Sequence, residues 1–306
     1  MRKLMSRGAK IRESIFNEFS RNFSLVMNNP HLNIINIDFY ICPLCFDSFT
    51  EQHLNQAVEN PLTIEDVPPK KLNGKPLLLT CKKCNNIRGS IYDSELSKWF
   101  KAYCALEGKG ELDFKMAIDS SRTFKAKLER DVDNKTTSIN SNKKNPYAQD
   151  NVSIMHSEGK AKVNFLFDFG DAKKIDDGFL RFAYLYAFYY FGYAYIFSTG
   201  GKYVRDYLVL NKNQELKPLI ISDKLENFDQ GIYKISFPKD ITSFLVVFKL
   251  GSEITRNVGV ILPGPKDEHI ENFKFIDKEK IGPLKFLQII KQDINDKPFV
   301  CYKLWQ

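Results

Sequence analysis

An α+β fold is predicted for this 306-residue chain by three observations. Two Cys-x-x-Cys pairs bracket a strand–turn–strand pattern, apolar residues recur every three to four positions over residues 9–28 and 93–106, and beyond Thr123 short alternating runs recur between Gly- and Pro-containing turns. At 43% hydrophobic and 27% charged residues, the composition is that of a well-cored protein that folds without a partner.

The first element is an amphipathic packing helix over residues 9–28, with Ile11, Ile15, Phe16, Phe19, Phe23 and Leu25 on its apolar side. An apolar, β-branched run from Asn33 to Ile41 leads into the first cysteine pair. Pro61-Leu-Thr-Ile-Glu-Asp-Val begins as a strand and Leu77-Leu-Leu-Thr-Cys81 ends as one, with Lys71-Leu-Asn-Gly-Lys75 as the turn. A helix then starts near Cys84 or Asn85, giving ββα, and Leu96, Trp99, Phe100 and Tyr103 share one side of its continuation.

The C-terminal part reads as mixed α+β. Strands are expected near Thr123 and over Ala161–Phe169, separated by a polar stretch, Asp133 to Asp150, that reads as an exposed or disordered hairpin loop. Residues 178–197 are apolar on nearly every face, so this helix is buried or membrane-bound. Its uncharged run, Phe182 to Phe197, falls short of the roughly 20 residues of a span, and its tyrosine hydroxyls need partners, so burial is expected. Runs at 231–237, 243–250 and 257–262 predict a small sheet packed on that helix. The working division is an N-terminal helical extension (1–37), a zinc and ββα module (38–106) and an α+β domain (107–306).

Net charge is +8, which favours nucleic acid or another polyanion. The excess is local, since Lys70, Lys71, Lys75, Lys82, Lys83 and Arg88 fall between Val67 and Tyr92 with no acid among them. The basic start, Met-Arg-Lys-Leu-Met, runs into polar sequence rather than an apolar leader, and Cys104 and Cys301 stand isolated. A reducing, cytoplasmic setting and no membrane partner are therefore expected.

Cys42, Cys45, Cys81 and Cys84 together offer four thiolates to one zinc ion, the closed tetrahedral shell of a structural site. Thirty-five residues separate the pairs, so the intervening chain forms a structure of its own before it returns to the metal. Cys-x-x-Cys, then Leu-Thr-Ile-Glu65-Asp66-Val-Pro-Pro-Lys, then Leu-Thr-Cys-x-x-Cys-Asn85-Asn86-x-x-Gly89, resembles HNH endonucleases of the tetracysteine zinc type. The likeness covers about 65 residues, and the run Asp177 to Arg205 is also similar to the C-terminal portion of larger proteins carrying such modules.

The resemblance implies a ββα-metal site. By position, Glu65 is a ligand of a catalytic divalent cation, Asp66 the general base in place of the usual histidine, and Asn85, with Asn86 as the fallback, a second ligand from the helix. Magnesium or manganese suits these oxygen donors, and Lys83 and Arg88 would neutralise phosphate charge near the helix N-terminus. Aspartate is weaker than imidazole by about 2.6 units of reference pKa, and His53 is a second candidate base. The family's steadying asparagine has a loose counterpart in Asn73.

Plainer readings stand beside these. Glu65 and Asp66 suit a charged turn, Asn85 and Asn86 a helix cap, and the acids Asp168, Asp171, Asp176 and Asp177 a helix N-terminus. Two functions follow: a metal-dependent nuclease acting on DNA, less readily RNA, or a catalytically silent or partner-activated zinc module that binds nucleic acid through Lys70, Lys71, Lys82 and Lys83. An interaction protein using zinc only as a staple, with a protein partner or a second copy, is a third class.

Overall fold

The computed structural model describes residues 6–27, 39–118, 123–141, 163–213, 215–221, 225–237, 242–274 and 285–289. The chain is α+β and divides into two compact units: residues 1–92 with 176–306, and residues 93–175. The linear order expected from sequence does not describe this division. The N-terminal helix, the cysteine hairpin and the last sheet belong to one unit, which residues 93–175 interrupt.

In the first unit, helix α1 (Arg7–Met27) buries Ile15, Phe16 and Phe19. Strands β1 (Tyr40–Ile41) and β2 (Ser48–Phe49) pair around the first cysteine loop. The run expected to precede β1 lies outside the described residues through position 38. Strands β3 (Leu62–Val67) and β4 (Lys75–Cys81) form the expected hairpin. Its tip passes through a 3-10 turn, Lys70–Leu72, and a left-handed Asn73. Gly74 is obligatory there, because a Cβ would sit 1.4 Å from the Pro68 carbonyl oxygen.

Helix begins at Lys82, directly after β4 and slightly earlier than the sequence suggests. It runs as α2 (Lys82–Cys84), a π-helical turn (Asn85–Gly89) and α3 (Ser90–Leu106).

The aromatic helix α4 (Ala172–Phe191) stops earlier than expected. Gly192 takes a positive φ of 59°, and Asn22 Oδ1 accepts the Tyr193 amide at 2.9 Å where a Cβ would otherwise lie. Helices α5 (Tyr193–Ile196) and α6 (Thr199–Leu210) follow. Strands β9 (Leu219–Ile221), β10 (Gly231–Phe237), β11 (Ser243–Leu250) and β12 (Arg256–Pro263), then helix α7 (Asp267–Lys274) and strand β13 (Lys285–Ile289), complete the unit.

These strands form an antiparallel sheet in the order β13-β10-β11-β12-β9. Central β11 is buried along nearly its whole length, as a strand covered on both faces must be. Phe191 packs on Phe244 at 5.0 Å and Tyr186 on Phe248 at 5.4 Å, so the sheet does pack on the aromatic helix. Among the described residues no helix is long and apolar enough to cross a membrane.

The second unit is a four-stranded antiparallel sheet, ordered β7-β6-β5-β8, with most of α3. Its strands are β5 (Glu111–Ile118), β6 (Phe124–Asp131), β7 (Thr136–Ser141) and β8 (Val163–Phe167). Thr136–Ser141 is thus strand where a loop was expected, and the rest of that loop lies outside the described residues. One face collects Phe114, Met116, Phe124 and Ala126, and Ala102 and Ala105 of α3 pack with Leu112.

Candidate metal centre and hairpin site

The four cysteines meet as the sequence requires. Their Sγ atoms all lie within 4.8 Å of one another, and Cys45 and Cys81 are 3.8 Å apart. A tetrahedral zinc ion with bonds of about 2.3 Å sets its sulfurs roughly 3.8 Å apart, so the donor set fits a structural zinc. The second loop turns backbone amides toward sulfur: Cys81 N donates to Cys42 Sγ at 3.5 Å and Cys84 N to Cys81 Sγ at 3.4 Å. Hydrogen bonds from Cys42, Cys45 and Cys84 pull the Cys81 thiol down, whereas burial pushes Cys42 up. Four crowded thiols cannot all ionise alone, and a divalent ion supplies the charge that lets them.

The aromatic helices hold the first cysteine loop in place. Tyr193 Oη accepts the Ile41 amide at 2.8 Å and donates to the Ile41 carbonyl at 3.0 Å. Tyr184 Oη donates to the Pro43 carbonyl at 2.8 Å. Arg205 donates to the Leu44 carbonyl at 3.2 Å and lies 4.1 Å over the Phe46 ring. Residues at the N- and C-terminal ends of the metal loop are thus bonded to helices far along the chain.

Glu65 stands on β3 where the resemblance requires an acid, and its partners are now fixed. It is 5% exposed, accepts the Thr80 hydroxyl at 2.8 Å and lies 2.8 Å from Arg181 Nη2 of α4. Arg181 is itself 1% exposed, and its Nε and Nη1 make no hydrogen bond among the described residues. Asn85, on the π-helical turn, donates to Thr63 Oγ1 at 3.0 Å. A Cβ added at Gly89 would lie 3.2 Å from Asn85 Oδ1 and 3.8 Å from Arg181 Nη2, so all three converge. Each Glu65 oxygen thus has a partner, Thr80 on one and Arg181 on the other, and a metal at this position would share the carboxylate with that guanidinium.

Asp66 follows a register shift in which Glu65 pairs with Leu78 and Asp66 with Pro76, leaving Leu77 as the extra residue of a bulge. Burial, then the Glu65 charge, raises the Asp66 pKa, and Lys70 lowers it in part. His53 is not brought to this pair: its Nδ1 accepts the Thr50 amide at 3.1 Å and its ring packs on Phe49. Asn73 steadies the hairpin tip by donating to the Gly251 carbonyl at 3.1 Å. Asn86 is exposed, and its carbonyl accepts the Ser90 hydroxyl. The side chain of Arg88 lies outside the described residues.

The cations do not form one patch. Lys70, Lys71 and Lys75 lie at the hairpin tip, and Lys82 and Lys83 at its base. The five residue steps of β3 separate these ends by about 17 Å. Arg181 is the functional candidate that sequence reading passed over, because a single arginine in an aromatic helix carries no local signal of its partner. Asp177, weighed as part of an acidic cluster, accepts the Tyr207 hydroxyl at 2.6 Å.

Among the described residues the cysteines are the group of His, Cys, Asp or Glu spaced to hold a metal, and Glu65 and Asp66 belong to no such group. Comparison with family models, curated proteins and solved structures gives no match for this chain.

Proposed function

We propose that this protein is a zinc-stabilised nucleic-acid-binding module built on an HNH-like hairpin and helix, and that alone it does not cut. The observation that carries this reading is the buried Arg181 guanidinium 2.8 Å from Glu65. That guanidinium already neutralises the Glu65 carboxylate, so the pair presents a divalent ion with no net negative charge. The four-cysteine centre supports the zinc, and exposed lysines at both ends of the hairpin, with the overall charge of +8, support the polyanion.

The test uses purified full-length protein. One zinc per chain, DNA affinity that falls steeply with salt, and intact plasmid in magnesium or manganese are expected. Nicking that vanishes in Glu65→Ala while zinc is retained would replace this reading with the nuclease. A second reading, a nuclease switched on by a partner that draws Arg181 from Glu65, is favoured by the raised Asp66 pKa and the nearness of Asn85. It predicts nicking only once the partner is added.

A further inference from the structure

The second unit carries a charge arrangement that the fold does not need. Lys115 of β5 and Lys125 of β6 are direct cross-strand partners, both exposed on the face opposite the apolar cluster. Like charges so placed oppose strand pairing. Neither lysine has an ion-pair partner among the described residues, although acids lie close by. Those acids are engaged by other cations: Asp113 by Lys101 at 2.6 Å, Asp168 by Lys98 at 3.3 Å, and Glu111 by Lys127.

The same face is hollowed. A cleft of about 920 Å³ is lined by Lys115, Lys125, Lys127, Asn140 and Leu166 among others. Register places Leu166 opposite Lys115 and Asn140 opposite Lys127, so an apolar wall and an amide flank the paired charges. Leu166 is 55% exposed, an outlay of apolar surface that a covering ligand would recover.

We propose that this sheet face, centred on Lys115 and Lys125, holds the phosphodiester backbone of single-stranded nucleic acid. It rests on the reading of the protein as a nucleic-acid binder and places the contact on a different surface from the hairpin lysines. Two cations held a strand spacing apart match a negatively charged backbone, and the amide and apolar wall beside them offer contacts to sugar and base. The amide and apolar wall suit the exposed bases of a single strand, which a duplex keeps paired and stacked inside.

The experiment measures fluorescence anisotropy of a labelled oligothymidylate and of a labelled duplex with full-length protein over a salt series. The variants are Lys115→Ala/Lys125→Ala, Lys115→Glu/Lys125→Glu, Lys70→Glu/Lys71→Glu and Lys82→Glu/Lys83→Glu. Expected are at least tenfold weaker oligothymidylate binding in the Lys115/Lys125 variants and, for the alanine pair, a salt slope reduced by about 1.4. Zinc content stays unchanged and the alanine pair keeps or raises Tm, because a repulsive pair has been removed. Unchanged binding in the Lys115/Lys125 variants with loss in the hairpin variants overturns this inference and leaves the functional reading standing. Absence of any nucleic-acid binding by the unmodified protein overturns both. Equal loss on duplex and single strand overturns the assignment to a single strand.

Discussion

Arg181 Nη2 lies 2.8 Å from Glu65 Oε1, with 2% and 6% of the two side chains exposed. The pair ties the β3–β4 hairpin to α4, and the Thr80 hydroxyl completes the carboxylate's shell. A buried ion pair costs desolvation to assemble but becomes most expensive when half of it is removed. Arg181→Met therefore strands Glu65 and is expected to lower stability by about 3–5 kcal/mol. Glu65→Gln/Arg181→Met is expected to recover most of the loss, as read from urea unfolding of zinc-loaded protein. Additive losses would show that the residues do not act as a pair.

Zinc removal should unfold more than the loops that bind it. Tyr193, Tyr184 and Arg205 all bond the first cysteine loop, so chelation is expected to lower Tm and to change the near-ultraviolet signal of the aromatic core. Cys81→Ser should reproduce this without chelator. An unchanged Tm in zinc-free protein would contradict the structural role.

Tyr193→Phe leaves the ring in place and removes both hydrogen bonds to Ile41. Two buried backbone groups then lose partners, at about 1–3 kcal/mol each. Weaker zinc retention against a competing chelator should accompany the loss of stability.

Burial and the Glu65 charge hold the Asp66 pKa above its ordinary 3.8, with Lys70 pulling it partly back. A carboxyl raised in the folded state contributes stability that is full below the unfolded pKa and is lost as pH rises through the folded pKa. Asp66→Asn removes that loss. The variant should exceed the unmodified protein in Tm at pH 7, with the advantage shrinking as pH falls toward 4. A constant difference across this range would show that Asp66 is not perturbed.

Gly74→Ala places a methyl group 1.4 Å from the Pro68 carbonyl, which the tight tip cannot absorb. The loss should far exceed the roughly 1 kcal/mol by which glycine and alanine ordinarily differ, seen as a reduced yield of folded, zinc-bearing protein.

The parts legible in the sequence were those whose cause is local. Two cysteine pairs announce a metal, Lys71-Leu-Asn-Gly-Lys75 announces a turn, and alternation announces β10, β11 and β12. What escaped depends on distant partners. The paired charge of Glu65 comes from a helix more than a hundred positions later, so the residue type was visible and its neutralisation was not. The tyrosines of α4 and α5 signalled hydroxyls in want of partners, but nothing near them names the cysteine loop as the answer. The two compact units likewise depend on distant partners, since a linear reading cannot see that the chain on either side of residues 93–175 comes together. Strand β5 lies close behind helix α3 and ahead of Thr123, where the expected alternation began, so it was not foreseen.

The bond between Tyr193 and Ile41 spans 152 positions. On a ribosome adding about 5–20 residues per second, the cysteine loop waits roughly 8–30 s before the side chain that braces it has been made. Throughout that interval the thiols of Cys42 and Cys45 stand in an unfinished chain, open to oxidation and to whichever soft metal arrives first. Translation speed and zinc supply are thereby linked: slow synthesis under scarce zinc should yield chains that carry the right sequence and the wrong chemistry at sulfur.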